Sequence, residues 1–259
     1  MSMEKIASAR QFVKAAALPE APPVTLGARA LDTFDFDAAK EQATVVGSDV
    51  IAFVKGVTPE QRNDVVNATL LAQLVARKKV PDPKTIDDVV AWYGEYFDVL
   101  SQVGFVVQDR GFAEYEERAD TFEAHQAILE VVGALMAGSP AALAVVKKTL
   151  ESLQHMSENS PWLTLFSRES QHAKTARFQV SLVNSDENAP FLTSIAAFGL
   201  EADSRITQVL FFKFHRNKVK LRHHAGKVTI DPDVLAGVRS DIAAKLQAYT
   251  KNFVAGLDL

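Results

Sequence analysis

The sequence predicts an α+β fold: a single-domain, three-layer α/β/α sandwich whose central, mostly antiparallel sheet of long strands is wrapped by helical hairpins. Three observations carry this. The first half of the chain reads mainly as helices, a run of adjacent strands follows from Thr175 to Ile230, and one helix comes last, an order that favours segregated helices on an antiparallel sheet over a doubly wound parallel one. Two of the strands are apolar on both faces, so helices must cover the sheet from both sides. The strand runs are about ten residues long, against about 5–6 for an ordinary strand.

In chain order, residues 1–23 read as an N-terminal extension before a single domain over 24–259. Ile6, Phe12 and Val13 lie on a short amphipathic pattern that Pro19 ends, and Pro19 to Pro23 is a breaker cluster. Val24 to Phe36 can hold a strand. Asp37 is a plausible N-cap for a helix over Lys40 to Val54. Thr58-Pro59-Glu60 combines a cap, a proline at the first position and an acid near the positive end of the helix dipole. That helix stops at Pro81-Asp82-Pro83. Thr85 to Leu100 carries Val89, Trp92, Tyr93, Tyr96, Phe97 and Leu100 at helical spacing, a stripe that reads as core packing.

Gly104 to Val107 is a short strand. Glu114 to Ala137 reads as a helix with a charged first half and an apolar second half. Gly138-Ser139-Pro140 closes it and starts another, with Leu143, Val146, Leu150 and Leu153 on the inner face, so the two form a hairpin. Trp162 to Phe166 is strand-like. Three long strands follow, and then a weaker one over Lys218 to His224. Asp231-Pro232 caps a final helix whose apolar positions run from Leu235 to Phe253.

The strand faces alternate. In the first, Ala176, Phe178, Val180 and Leu182 oppose Arg177, Gln179 and Ser181, the pattern of a half-buried strand. In the second, Phe191, Thr193, Ile195 and Ala197 oppose Leu192, Ser194, Ala196 and Phe198. In the third, Ile206, Leu210, Phe212 and Phe214 oppose Val209 and Phe211. The three runs are as long as strands that cross a bilayer, which need about 9–11 residues.

Composition narrows the chemistry. Of 259 residues, 47% are hydrophobic and 23% charged, as in an ordinary soluble domain, and there is no cysteine, which removes disulfides, thiolate catalysis and cysteine-ligated metals. The net charge of -4 gives no general argument for a nucleic-acid partner. The N-terminus has no uninterrupted apolar run of signal-peptide type, and no window approaches the roughly 20 apolar residues of a spanning helix. A chain made soluble is expected, one that meets a membrane only by rearranging.

Lys213, Arg216, Lys218, Lys220, Arg222 and Lys227 make a local basic region without an acid. Anionic headgroups attract such segments by about 1 kcal/mol per Lys or Arg; protection of a sheet edge explains them equally. His223 and His224 are adjacent and face opposite ways on a strand, and His125, His155 and His172 lack a metal-ligand spacing. His215, His223 and His224 could sense pH between about 5 and 7. No nucleophile elbow, phosphate loop or dinucleotide motif is present. No catalytic residue, metal ligand or cofactor is expected.

Several segments, in order, resemble the cytolytic (Cyt-type) delta-endotoxins. Pro161-Trp162-Leu163-Thr164-Leu165-Phe166-Ser167-Arg168-Glu169 resembles that family's tryptophan-containing strand and the step after it. Gln208-Val209-Leu210-Phe211-Phe212 is similar to its QVLFF strand, and Phe198-Gly199-Leu200-Glu201 to a Gly-Phe-Glu step. The hairpin from Ile128 to Ser157, turning at Ala137-Gly138-Ser139, and the helix from Pro59 to Val80 are similar too. The likeness runs from Thr58 to Ile230 and is poor at both ends, and the Ala-rich, Asn-poor composition departs from the spore-crystal members.

The resemblance implies one α/β domain with two helical layers around a sheet. It also implies a pore-forming toxin without enzymatic activity, released from its producer, that binds the phospholipid membrane of a target cell and oligomerises there. Its helices would swing away and the strands Thr175–Asn184, Phe191–Glu201 and Arg205–His215 would insert. The inserting side chains would be Phe178, Val180, Leu182, Phe191, Ile195, Phe198, Val209, Leu210, Phe211, Phe212 and Phe214. Lys213, Arg216, Lys218, Lys220 and Arg222 would meet headgroups. The alternative is a non-enzymatic protein of the same fold holding a fatty acid or other apolar ligand between sheet and helices.

Overall fold

The computed structural model describes residues 2–22, 35–115, 121–137, 139–157, 160–186, 189–203, 205–206, 213–215 and 219–258. Their core is a sheet with helices on both faces, the α/β/α sandwich expected from the strand patterns.

The sheet is built from β1 (Gln42–Val46), β2 (Asp49–Phe53), β3 (Phe105–Val106), β7 (Thr175–Asp186), β8 (Ala189–Ala202), β10 (Val219–Ile230) and β11 (Val254–Asp258), in the order β11-β1-β2-β7-β8-β10-β3. Two short strands, β4 (Ala113–Glu114) and β6 (Gln171–His172), pair with β10 and β7. All ladders are antiparallel except β2 with β7. A separate ribbon joins β5 (Thr121–Glu123) to β9 (Lys213–His215).

One layer holds α1 (Ser2–Ala15), α2 (Pro59–Lys79), α3 (Ile86–Gln102) and α7 (Pro232–Leu246). The other holds α4 (Ala124–Leu135), α5 (Pro140–Gln154) and α6 (Pro161–Ser170). A last short helix, α8 (Thr250–Phe253), leads into β11. The helix starts are written locally. Thr58 and Thr85 each cap through a reciprocal capping box, with Gln61 and Asp88, and the Asp231 carboxylate accepts from the Val234 amide. Segment 2–22 docks on this frame. Ala9 and Val13 are buried, Arg10 donates to the Gly237 carbonyl at 2.8 Å, and Tyr249 donates to Pro19 at 2.7 Å.

Several expectations need correction. The helix expected over Lys40 to Val54, capped by Asp37, is the β1–β2 hairpin. Val45, Val46, Val50 and Ile51 favour strands, and Gly47 turns the chain at φ 55°, where a Cβ would lie 2.2 Å from the Gln73 Oε1. All ten hairpin-strand residues are buried, so the segment carries no amphipathic helical stripe.

The helix expected from Glu114 begins only at Ala124; β4 and β5 occupy the described parts of its charged half. Ser139 sits at the N-cap of α5 but makes no side-chain cap bond. Trp162 to Phe166 is not a strand. Ser160 caps it, Pro161 starts it, and Trp162, Leu165, Phe166 and Glu169 share the buried face of α6.

The third long strand does not join the central sheet where it is described: Lys213–His215 pairs with β5, and residues 207–212 lie outside the described residues. Its place is taken by β10, expected to be the weaker run, which pairs with β8 over eleven positions. The final helix stops at Leu246 and the chain ends in β11, which pairs with β1.

Candidate functional site

The two faces of the sheet are held to their helices by different forces. On the face toward α4, α5 and α6 the contacts are apolar. β7 supplies Phe178, Val180 and Leu182, β8 supplies Ala196, Phe198 and Leu200, and β1–β2 supply Val45, Val50 and Ala52. Phe178 and Phe198, opposite each other in register, stack at 4.9 Å. Onto this surface α4 lays Ala124, Ala127, Ile128, Val131 and Val132, spaced i, i+3, i+4, i+7, i+8. From α5 come Ala142, Val145, Val146, Leu150 and Leu153. The polar ties described for the α4–α5 hairpin sit at its rim: Tyr115 to Glu130 at 2.5 Å and Lys148 to Glu41 at 4.0 Å.

Toward α2 and α3 the same strands present polar side chains, and these are fully buried. Here the expectation that β7 is half-buried fails: Arg177, Gln179 and Ser181 are as inaccessible as Phe178 and Val180. The helices and β2 satisfy part of them. Tyr93 Oη lies 2.9 Å from the Phe178 carbonyl and 3.3 Å from that of Phe198. Gln179 Nε2 donates to Asp49 at 3.2 Å and to the Tyr96 hydroxyl at 3.1 Å, and Ser181 Oγ donates to Asp49 at 2.9 Å. Gln73 donates to the Val46 carbonyl at 2.7 Å. Burial pushes the Asp49 carboxyl up to about 7 against the pull of Ser181 and Gln179.

The expected inserting residues thus separate onto two faces. Phe178, Val180, Leu182 and Phe198 lie under the α4–α5–α6 layer, whereas Ile195 and the partly buried Phe191 face α2 and α3. Phe214 and Lys213 are in β9. Val209, Leu210, Phe211, Phe212, Arg216 and Lys218 lie outside the described residues.

The two headgroup candidates on β10 are paired with acids. Lys220 meets Glu201, its cross-strand neighbour, at 3.3 Å. Arg222 meets Asp87 at 2.6 Å and Glu114 at 3.9 Å. His223 and His224 do face opposite ways. His224 packs on Phe97 and Phe112, and His223 lies beside Tyr115; burial lowers both.

Sequence reasoning missed the buried polar row of Asp49, Tyr93, Tyr96, Arg177 and Gln179. Alternation along β7 alone reads as one wet face; the partial signal was its neighbour β8, apolar on both faces, since a strand paired with one that needs two covers is covered on both sides too.

No known protein family and no curated protein matches the sequence. Among solved structures the chain is similar to a delta-endotoxin, at 9% identity and a TM-score of 0.31, over 72% of this chain and 85% of that one. It is also similar to the Evf virulence factor, at 10% identity and a TM-score of 0.28, over 88% of each chain. Likenesses this weak carry no argument about activity. No helix among the described residues is long and apolar enough to cross a membrane, which says nothing of strands.

Proposed function

We propose that the chain is a membrane-active, non-catalytic protein of toxin type. Its α4–α5 hairpin leaves the sheet at a phospholipid surface and exposes the apolar face of β7 and β8 to lipid, and further copies of the chain complete a strand-lined pore.

One observation supports this above the others. β7, β8 and β10, of 12, 14 and 12 residues, exceed the about 9–11 needed to cross a bilayer, and the first two lie beneath a hairpin attached through apolar side chains. Each large side chain in that contact is worth about 1.5–3 kcal/mol against water. Lipid offers the same environment, so exchanging helix for lipid costs little on this face. Exchanging α2 and α3 would instead strip partners from Gln179 and from the carbonyls of Val46, Phe178 and Phe198. Closing the strands into a barrel leaves their backbone groups paired inside lipid.

The test is dye release from phospholipid vesicles by the purified chain, over several lipid compositions and pH values, before and after light proteolysis. The reading expects release with saturable dose dependence. Intact vesicles under every condition would remove it.

A further inference from the structure

Two arginines hold one carboxylate where α2 and α6 meet, and a third, Arg177 of β7, is buried beside His172 of β6. Glu169, nearly buried, has both oxygens engaged: Arg168 Nε donates to one at 2.8 Å and Arg77 Nη2 to the other. The Arg77 and Arg168 guanidinium carbons lie 5.3 and 5.5 Å from the centre of the same Phe253 ring, so one aromatic ring packs against both. Arg168 also donates through Nη2 to the Asn252 carbonyl at 2.6 Å. The described hydrogen bonds leave Nη1 of Arg168 and Nε and Nη1 of Arg77 available.

Behind them Arg177 is only 2% exposed. It rests 4.4 Å from the Trp92 ring, its Nη1 meets His172 Nε2, and its Nε has no hydrogen-bond partner. Among the described contacts none joins Arg177 to a carboxylate; burial and Arg77 push it down to about 9. His172 accepts from Arg177 and must be neutral to do so; burial, Arg177 and Arg77 hold it at about 4. The cluster therefore sets three guanidiniums against one contacting carboxylate. A buried charge without a counter-charge is costly, which leaves a place for an anion.

That place is open. A surface groove of about 420 Å³ is lined by Arg77, Arg168, His172 and the already paired Glu169, with Pro19, Pro81 and Tyr249 among its other walls; Glu20 stands exposed at its rim. The volume falls in the range of about 300–1,000 Å³ typical of small-molecule sites. Paired guanidiniums with free N–H groups match the geometry of phosphate oxygens.

We propose that this groove binds a phosphate ester. The phosphate sits on Arg77 and Arg168 and supplies the missing counter-charge near Arg177, and the organic part lies against the proline and tyrosine walls. The proposal does not rest on the membrane reading: no residue of the α4–α5 hairpin lines the groove.

The experiment is titration calorimetry of the full chain with inorganic phosphate and with glycerol 3-phosphate, at ionic strength matched with chloride. Flotation with phosphatidylcholine vesicles, with and without phosphatidic acid, runs beside it. Arg168→Gln tests the site, because Arg168 is half-exposed and its loss leaves the Arg77–Glu169 pair in place. Arg110→Gln, which removes an exposed ion pair with Asp98 of α3 and lines no part of the groove, is the control. Circular dichroism confirms that both variants are folded.

Saturable binding of the soluble phosphates, weakened about ten-fold or more by Arg168→Gln and unchanged by Arg110→Gln, supports a free ester as ligand. The same pattern with phosphatidic-acid vesicles alone supports a lipid headgroup. No saturable binding of either kind overturns the proposal, and so does equal loss in the two variants or no loss in Arg168→Gln. Dye release that fails while phosphate binding stands removes only the membrane reading. Phosphate binding that fails while dye release stands removes only this one.

Discussion

Replacing Asp49 by Asn should change how stability depends on pH. Asp49 is fully buried on β2, and the groups facing it are the Ser181 hydroxyl and Gln179 amide of β7 and the Tyr96 hydroxyl of α3, none of them a cation. Its carboxyl stands at about 7, raised from 3.8 chiefly by burial. Because the folded value lies above the unfolded one, the folded chain holds the proton more tightly. The stability this contributes is complete below about pH 4 and is lost as pH rises through about 7. A shift of about 3 units corresponds to about 4 kcal/mol between those limits.

Asn is neutral and close in shape, and the Gln179 Oε1, unpartnered in the fold, can turn to accept from its amide. The variant should therefore match the wild type within about 1 kcal/mol near pH 4 and exceed it by about 2–4 kcal/mol at pH 8. Urea unfolding of both chains at half-unit steps from pH 4 to 8.5 reads this directly. Parallel pH profiles for the two proteins would refute the reasoning, since they would mean that Asp49 does not titrate in that window.

Two further outcomes follow from the packing. The chain has no cysteine, so one engineered disulfide between α5 and β2 can be formed without competition. It should abolish dye release when oxidised and restore it on reduction, with vesicle binding unaffected; release that ignores the redox state would show that the hairpin need not move. Gly199 on β8 lies under α3, and a Cβ there would come within 2.9 Å of Val89 Cγ1 and 3.0 Å of Ile86 Cδ1. Gly199→Ala should cost about 1–3 kcal/mol in urea unfolding by forcing α3 off the sheet, whereas a neutral result would mean that the helix gives way freely.

What could be read from the sequence was whatever a few neighbouring residues decide. The starts of α2, α3 and α7 were legible because Thr58-Pro59, Thr85 and Asp231-Pro232 satisfy or dispense with amides of their own first turn. The core stripe of α3 and the inner face of α5 were legible because helical spacing puts their apolar residues on one side. The alternation along β7 and β8 assigned each side chain to the correct face, and with it the apolar half of the candidate site.

What the tertiary structure decided depends on partners far along the chain. β11 is a strand because β1, some two hundred residues earlier, offers it an edge; Ala43 faces Leu257. The β1–β2 segment became strand rather than helix once β7 supplied a parallel ladder on one side and β11 an antiparallel one on the other. Arg177, Gln179 and Ser181 looked like a solvent face because polarity along one strand cannot tell water from a buried partner. Trp92, Tyr96 and Asp49, brought from α3 and β2, made that row an interior one. A strand's own pattern fixes which side chains point together. Only the layers packed against it fix whether that side is wet, dry or charged.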